Sequence, residues 1–543
     1  MSDLPPPSWP PVPGGGAESW TPPPRRGGSA LAVALVITVV VALLAGTVAV
    51  VQSVRLASAE RKVAALEAET AELERRVAQL EAGAGSGLDD LLGGLLGEDA
   101  GTLEDLLGGL LGDGGLGGLL GEGGLDSLFG DSGLGELFGG GSALDLVNCV
   151  GMPSGGGGGA LPDDTRAAID AIAEQVAAER ELAFTGPVAA EILAPGALAE
   201  RVRSLTLEDY SEEDADVDAR LLAALGAIPP GTDLRALVID LLGDQVAGFY
   251  DPDTGEMVAL GGADLDAMTK VTLAHELDHA LTDQALGLPD LAGFDGQTDA
   301  ALAAQAVIEG DATLLMQRWA MSYLSLMEQL GMAGDSMGAQ ADLAGVPYHL
   351  QQQLVFPYLA GMSFVCDHFT DAGWAGVDAL YAALPRTTAE ILWPERYRAG
   401  EAPRETTLPP APGAEWEMLR TDTLGAAELM WLFEAPGGET RAALPDPSGA
   451  AEAWAGGRVA VFGRGADTAV AVSLLDRDGG DGLCSTMAAW YRAAFPAGSE
   501  AASEPGDRLV VDGPSQDAVL ACDAGRVRLG IAPDVATARL LTR

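Results

Sequence analysis

His275-Glu276-Leu277-Asp278-His279 lies inside Met268 to Leu286, a run whose spacing predicts one helix. Residues four apart on a helix project from the same face, so both imidazoles can meet one metal ion while Glu276 reaches a water bound to it. The pattern points to hydrolysis and demands that another element supply a third ligand, because a zinc hydrolase presents three protein groups and leaves a position to water. Only four histidines occur, His275, His279, His349 and His368, so half of them fall in this pentad. The competing reading is a solvated helix face on which two His and acidic neighbours coincide.

Glu309 is the candidate third ligand. Thr298 to Tyr323 shows a second helical pattern, with Leu302, Ala306, Glu309, Thr313, Met316 and Ala320 on one stripe. A carboxylate in that stripe faces the core and needs a cation, either a metal or an arginine such as Arg318. Gly310 follows directly, and a glycine inside a helix costs about 1 kcal/mol relative to Ala, which suggests a close approach to the backbone there. Asp311 points elsewhere and is expected to stabilise its helix or hydrogen-bond behind a ligand. Asp283, one turn beyond His279, is placed either to accept from a ligand imidazole or in solvent. Upstream, Val246 to Tyr250 and Glu256 to Leu260 flank a turn at Asp251-Pro252-Asp253-Thr254-Gly255. They read as a hairpin whose edge could pair with an extended peptide.

The stretch from Thr272 to Gln284, followed by Asp299-Ala300-Ala301 and by Val307 to Thr313, resembles a family of bacterial gluzincin-type HExxH metallopeptidases. Gly248 to Pro252, Phe356 to Gly361, Thr387 to Tyr397 and Trp454 to Arg458 agree with it, so the likeness covers roughly Pro162 to the C terminus. It implies a zincin-like fold, one Zn2+ per chain held by His275, His279 and Glu309, Glu276 as general base, and a protein or peptide substrate. Thr282 stands where the family usually has Gln, and Trp393 where it often has His. A donor for the tetrahedral oxyanion is also required. His349, His368 and Tyr358 are the candidates, and the sequence does not choose among them.

The first part of the chain concerns location. Ala30 to Val51 is uncharged and long enough to cross a bilayer, which takes ~20 residues. Arg25 and Arg26 precede it, which keeps the N terminus cytoplasmic and sends the remainder outward. A cleaved signal peptide, cut near Ala57-Ser58-Ala59, is the rival, but the run exceeds the ~7 to 15 apolar residues of a signal core. Leu56, Ala59, Val63, Leu66, Thr70, Leu73, Val77 and Leu80 then keep an a/d heptad register, predicting a parallel coiled coil that would pair two copies; a solvated amphipathic stalk is the alternative. The expected segments are a Pro/Gly-rich tail (1–28), a transmembrane helix (29–52), the coiled coil (53–82) and a Gly/Leu/Asp low-complexity linker (83–160).

With 80 acidic against 30 basic residues, a formal charge of −50, nucleic-acid binding is excluded as a function class. In an exported chain the four cysteines predict disulfides, Cys484 with Cys522 first and Cys149 with Cys366 second. The folded part is expected to be α+β. A mainly helical metallopeptidase domain with a short sheet (161–410) is followed by a C-terminal α/β subdomain (411–543) that packs against it. In the latter, Thr423 to Phe433 and Gly482 to Phe495 read as helices, and Arg458 to Phe462, Ala469 to Leu474, Leu509 to Val511 and Val527 to Ile531 as strands. The function expected is a membrane-anchored, extracytoplasmic zinc metallopeptidase; the alternative is a catalytically silent scaffold of the same fold.

Overall fold

The computed structural model describes residues 149–150 and 161–543, apart from 163, 262–264, 295, 326, 330–331 and 333–344. The expected tail, membrane helix and coiled coil, and all of the linker except Cys149 and Val150, lie outside the described residues. Among the described residues no helix is long and apolar enough to cross a membrane.

The architecture is α+β. In chain order it comprises α1 (Thr165–Arg180), β1 (Ala189–Leu193), α2 (Pro195–Asp209), α3 (Glu212–Ala224), α4 (Leu234–Gln245), β2 (Gly248–Asp251), β3 (Glu256–Leu260), α5 (Ala267–Ala285) and α6 (Thr298–Tyr323). Then come α7 (Tyr348–Ala372), α8 (Trp374–Ala382), α9 (Thr388–Leu392), α10 (Pro394–Arg398), β4 (Glu417–Thr423), α11 (Ala426–Glu434) and α12 (Pro447–Glu452). The chain ends with β5 (Trp454–Arg464), β6 (Asp467–Asp476), α13 (Gly482–Ala494), β7 (Ser499–Glu500), β8 (Asp507–Asp512), β9 (Asp517–Asp523), β10 (Arg526–Ala532) and α14 (Val535–Leu540). Short polar side chains start several helices by accepting a backbone amide of the first turn: Asp164 for α1, Ser211 for α3, Asp233 for α4, Asp266 for α5 and Thr387 for α9.

Two sheets frame the helices. The smaller has the order β1-β3-β2, with β1 parallel and β2 antiparallel to β3, so β2 is an edge strand, as the hairpin reading expects. The larger runs β4-β5-β6-β10-β9-β8-β7 and is antiparallel throughout. Its strands alternate as period-2 geometry requires. Val459, Val470, Val472, Leu520, Leu529 and Ile531 join the main core, while Ala460, Phe462, Ala471, Val510 and Val519 face a second cluster closed by Trp416, Ala538 and Leu541. The main core is continuous from Ile169 on α1 to Ile531 on β10, so the last third of the chain is packed against the helices.

Three details differ from the sequence reading. Thr423 ends β4 rather than opening a helix, and α11 begins only at Ala426. β4 and β9 are full strands: the first is mostly polar and partly exposed, and the second is too short for periodicity to distinguish it from helix. β1 exists because it adds to β3 in parallel, across three intervening helices, a pairing that no local pattern encodes. Both expected cysteine pairs are disulfides, with Cα–Cα separations of 5.7 Å for Cys149–Cys366 and 6.3 Å for Cys484–Cys522.

Candidate metal centre

The helix α5 is buried at every residue from Val271 to Thr282, and α6 at every residue from Ala306 to Gln317. These are central helices, surrounded on all sides rather than on one stripe. The small β2-β3 sheet covers part of α5; a side chain at Gly248 would come within 3.3 Å of Glu276 Cγ. Behind α6 lies α7, and the two cross where Gly310 meets Gly361: a Cβ on Gly310 would lie 2.4 Å from the Gly361 carbonyl. The glycine after Glu309 is therefore there for close helix approach, as its position suggested.

This packing brings His275, His279 and Glu309 together. His275 Nε2 is 3.0 Å from His279 Nε2 and 3.2 Å from Glu309 Oε2, and His279 Nε2 is 3.4 Å from the same oxygen. Ligand atoms about 2.0–2.1 Å from a tetrahedral zinc stand roughly 3.3–3.4 Å apart, so the triangle has the size of one face of such a site. The donors themselves fit: two ring nitrogens and a carboxylate oxygen converge, which a single proton can satisfy only pairwise and a cation satisfies at once. Burial pushes the His275 imidazole down to about 4, leaving it neutral. Burial alone would push Glu309 up, but the facing imidazoles hold it down at about 2, so it is ionised.

Glu276 lies beside the triangle and is fully buried. Neither of its oxygens accepts a well-formed hydrogen bond among the described residues. Burial, and then the Glu309 charge, push its pKa well above the ordinary range, softened by the Tyr250 backbone amide on the edge strand. A cation at the triangle would favour the ionised form, and so change its role from a stored proton to a base.

The remaining candidates separate clearly. Arg318 does not pair with Glu309; it donates to Glu179 at 2.8 Å and to the Cys149 carbonyl at 2.7 Å. Asp311 points away from the triangle, as expected, and accepts from Arg180 and Tyr381. Asp283 holds no imidazole: it accepts from the Tyr250 hydroxyl at 2.8 Å and from the Leu288 amide, tying the edge strand to the end of α5. Tyr358 is the one of the three oxyanion candidates with a ring against a ligand, stacked on His275 with centroids 6.2 Å apart. His349 packs edge-on to Trp431, and His368 bonds the Phe364 carbonyl of its own helix through Nδ1 and packs among Phe364 and Tyr397. Trp393 sits between α9 and α10 beneath the Arg396 guanidinium, 5.6 Å from its ring centre.

Sequence reasoning missed Arg180. Its signal was present: Ile169, Ile172, Val176 and Arg180 share one buried stripe of α1, which puts a guanidinium on a core face.

No protein-family model, curated protein or solved structure matches this chain.

Proposed function

We propose that the chain is a zinc-dependent metallopeptidase, held at the outer side of a membrane by residues 29–52 and paired through 53–82. The observation that carries the reading is the triangle of His275 Nε2, His279 Nε2 and Glu309 Oε2, at 3.0–3.4 Å, with the Glu276 carboxylate buried alongside it. His275, His279 and Glu309 would hold Zn2+. Bound there, zinc supplies a Lewis acid for the peptide carbonyl and lowers the pKa of a water toward ~7. Glu276 takes the proton from the attacking water at a carboxylate oxygen and delivers it to the leaving amine. Tyr358, whose ring packs on His275, is the residue that would donate a hydroxyl to the developing oxyanion; that packing is what favours it over His349 and His368. The dry setting strengthens each of these interactions.

A second reading has its own observation. His275 and Glu276 are 0% exposed, Glu309 1% and His279 8%, so a polypeptide needs an opening to reach the triangle. A metal that only staples α5 to α6 in a non-hydrolytic scaffold fits that burial. The Glu276→Gln variant separates the two. For an enzyme it keeps the zinc and loses hydrolysis of fluorescently labelled casein; a wild-type protein that binds one zinc yet cleaves no peptide or protein library favours the scaffold.

A further inference from the structure

We propose that Arg180 is a positioning residue for the metal centre: one buried guanidinium, delivered by α1, fixes the direction of the ligand-bearing helix α6 by gripping Asp311, two residues past Glu309. The inference rests on the metal-centre reading and deepens it.

Asp278 directly precedes His279, and Asp311 lies two residues after Glu309, so each helix carries a ligand and a buried carboxylate in adjoining positions. Arg180 Nε and Nη2 each donate to Asp311, to Oδ1 and Oδ2 respectively, at 3.0 Å, a two-pronged fork that fixes direction as well as distance. Nη2 also meets Asp378 on α8 at 2.7 Å, and the guanidinium lies 4.5 Å over the Trp374 ring. The Tyr381 hydroxyl completes Asp311 at 2.9 Å. Asp278 makes no hydrogen bond among the described residues, and neither does Arg180 Nη1.

Without that cation, Asp311 loses both prongs of its fork and is left buried on α6 with only the Tyr381 hydroxyl, which frees the turn that carries Glu309 to shift. Metal ligand distances must hold to about 0.2 Å, so a displacement too small to unfold the protein would spoil the site. Arg180 touches no ligand atom; its effect runs through Asp311.

The test uses the purified full-length chain and zinc affinity measured by competition with a chromophoric chelator, with Co2+ absorption as a reporter of ligand geometry. Arg180→Met should bind zinc about 10- to 100-fold more weakly, the range for residues that orient ligands, with an altered cobalt spectrum. Arg180→Lys, which restores the charge without the fork, should fall between. Arg318→Met serves as control: it breaks partly buried contacts of α6 to Glu179 and the Cys149 carbonyl, away from the triangle, and should lower the melting temperature with zinc affinity held within about threefold. If Arg180→Met does not fold, Asp311→Asn and Arg180→Lys take its place with the same expectation. Wild-type affinity and cobalt spectrum in the Arg180 and Asp311 variants would overturn the positioning role while leaving the metal centre intact, as would an equal loss in Arg318→Met. A wild-type protein that binds neither metal overturns both.

Discussion

Gly310 and Gly361 put the backbones of α6 and α7 in direct contact one residue past Glu309, the proposed third ligand. Alanine is the better helix former by about 1 kcal/mol, so an exposed Gly→Ala change would stabilise. Here the added methyl meets a carbonyl at 2.4 Å, and neither helix can yield without moving the core. Gly310→Ala is expected to lose about 1–3 kcal/mol or more, as overpacked interiors do, and to lower zinc content because Glu309 moves with the helix. Urea unfolding and elemental analysis read the two effects, and an unchanged midpoint would show that the crossing is looser than its geometry implies.

Glu309→Gln keeps the shape of the side chain and removes its charge. The expected result is a folded protein whose zinc is lost to a chelator that leaves the wild type loaded, since the ligand set no longer carries an anion. Retention of full zinc occupancy would identify a different third ligand.

Tyr358→Phe should leave zinc content unchanged and reduce kcat by about 10²–10³-fold, the usual cost of one oxyanion donor, with little change in KM. A proportional rise in KM with kcat intact would instead assign the hydroxyl to substrate binding.

Stability should fall with rising pH in the neutral range. Burial pushes Glu428, whose carboxylate accepts the Gly425 amide at the start of α11, up to about 8, and pushes Asp299, which accepts from Thr388, up to about 6. Each folded pKa exceeds its unfolded value, so the folded state binds more protons between the two. The stability these groups confer is complete below about pH 4 and is lost as pH rises through 6 for Asp299 and through 8 for Glu428. Relative to the wild type, Glu428→Gln should therefore gain in melting temperature between pH 5 and pH 8.5, because only the wild type has a buried carboxyl to ionise. A parallel pair of melting curves across that window would remove Glu428 as the source.

What could be read from the chain, and what could not, follows from the range of the interactions. The expected helix Thr298 to Tyr323 is found with those bounds, and Glu256 to Leu260 is the expected second strand of the hairpin, because each is fixed by its own residues. His275 and His279 are separable from other polar residues by their helical spacing, and Glu309 by its place on the apolar stripe of a second helix; that the two helices meet is not in the spacing. The partner of Asp311 was not readable: Arg180 lies 131 positions away, and only the packing of α1 on α6 brings it there. The same holds for Tyr358, which spacing could not rank above His349 or His368 until α7 was laid along α6. The edge strand β2 was expected, but the parallel strand β1 that completes its sheet was not, since the two are joined only through β3.

The Cys484–Cys522 disulfide joins α13 to β9 across a sequence separation of 38. Closing a loop of that length restricts the unfolded chain by about 4 kcal/mol in the chain-entropy model. Cys484→Ala/Cys522→Ala should lose a comparable amount, read as the shift in guanidinium midpoint, with zinc binding preserved because neither residue touches the metal helices. A midpoint insensitive to the double change would indicate that the C-terminal sheet is held by its core alone.

The link between Cys149 and Cys366 sets a load path. Tension carried along the chain from the N-terminal side enters the folded unit through a covalent bond to α7, bypassing residues 150–165, and the Arg318 bond to the Cys149 carbonyl braces the same point on α6. A pull from the N-terminal side is thus delivered to the two helices that cross beside Glu309, rather than spent unravelling the chain from α1. Under reducing conditions the same force would begin at α1, peeling Ile169, Ile172 and Val176 from the core before it reached Arg180.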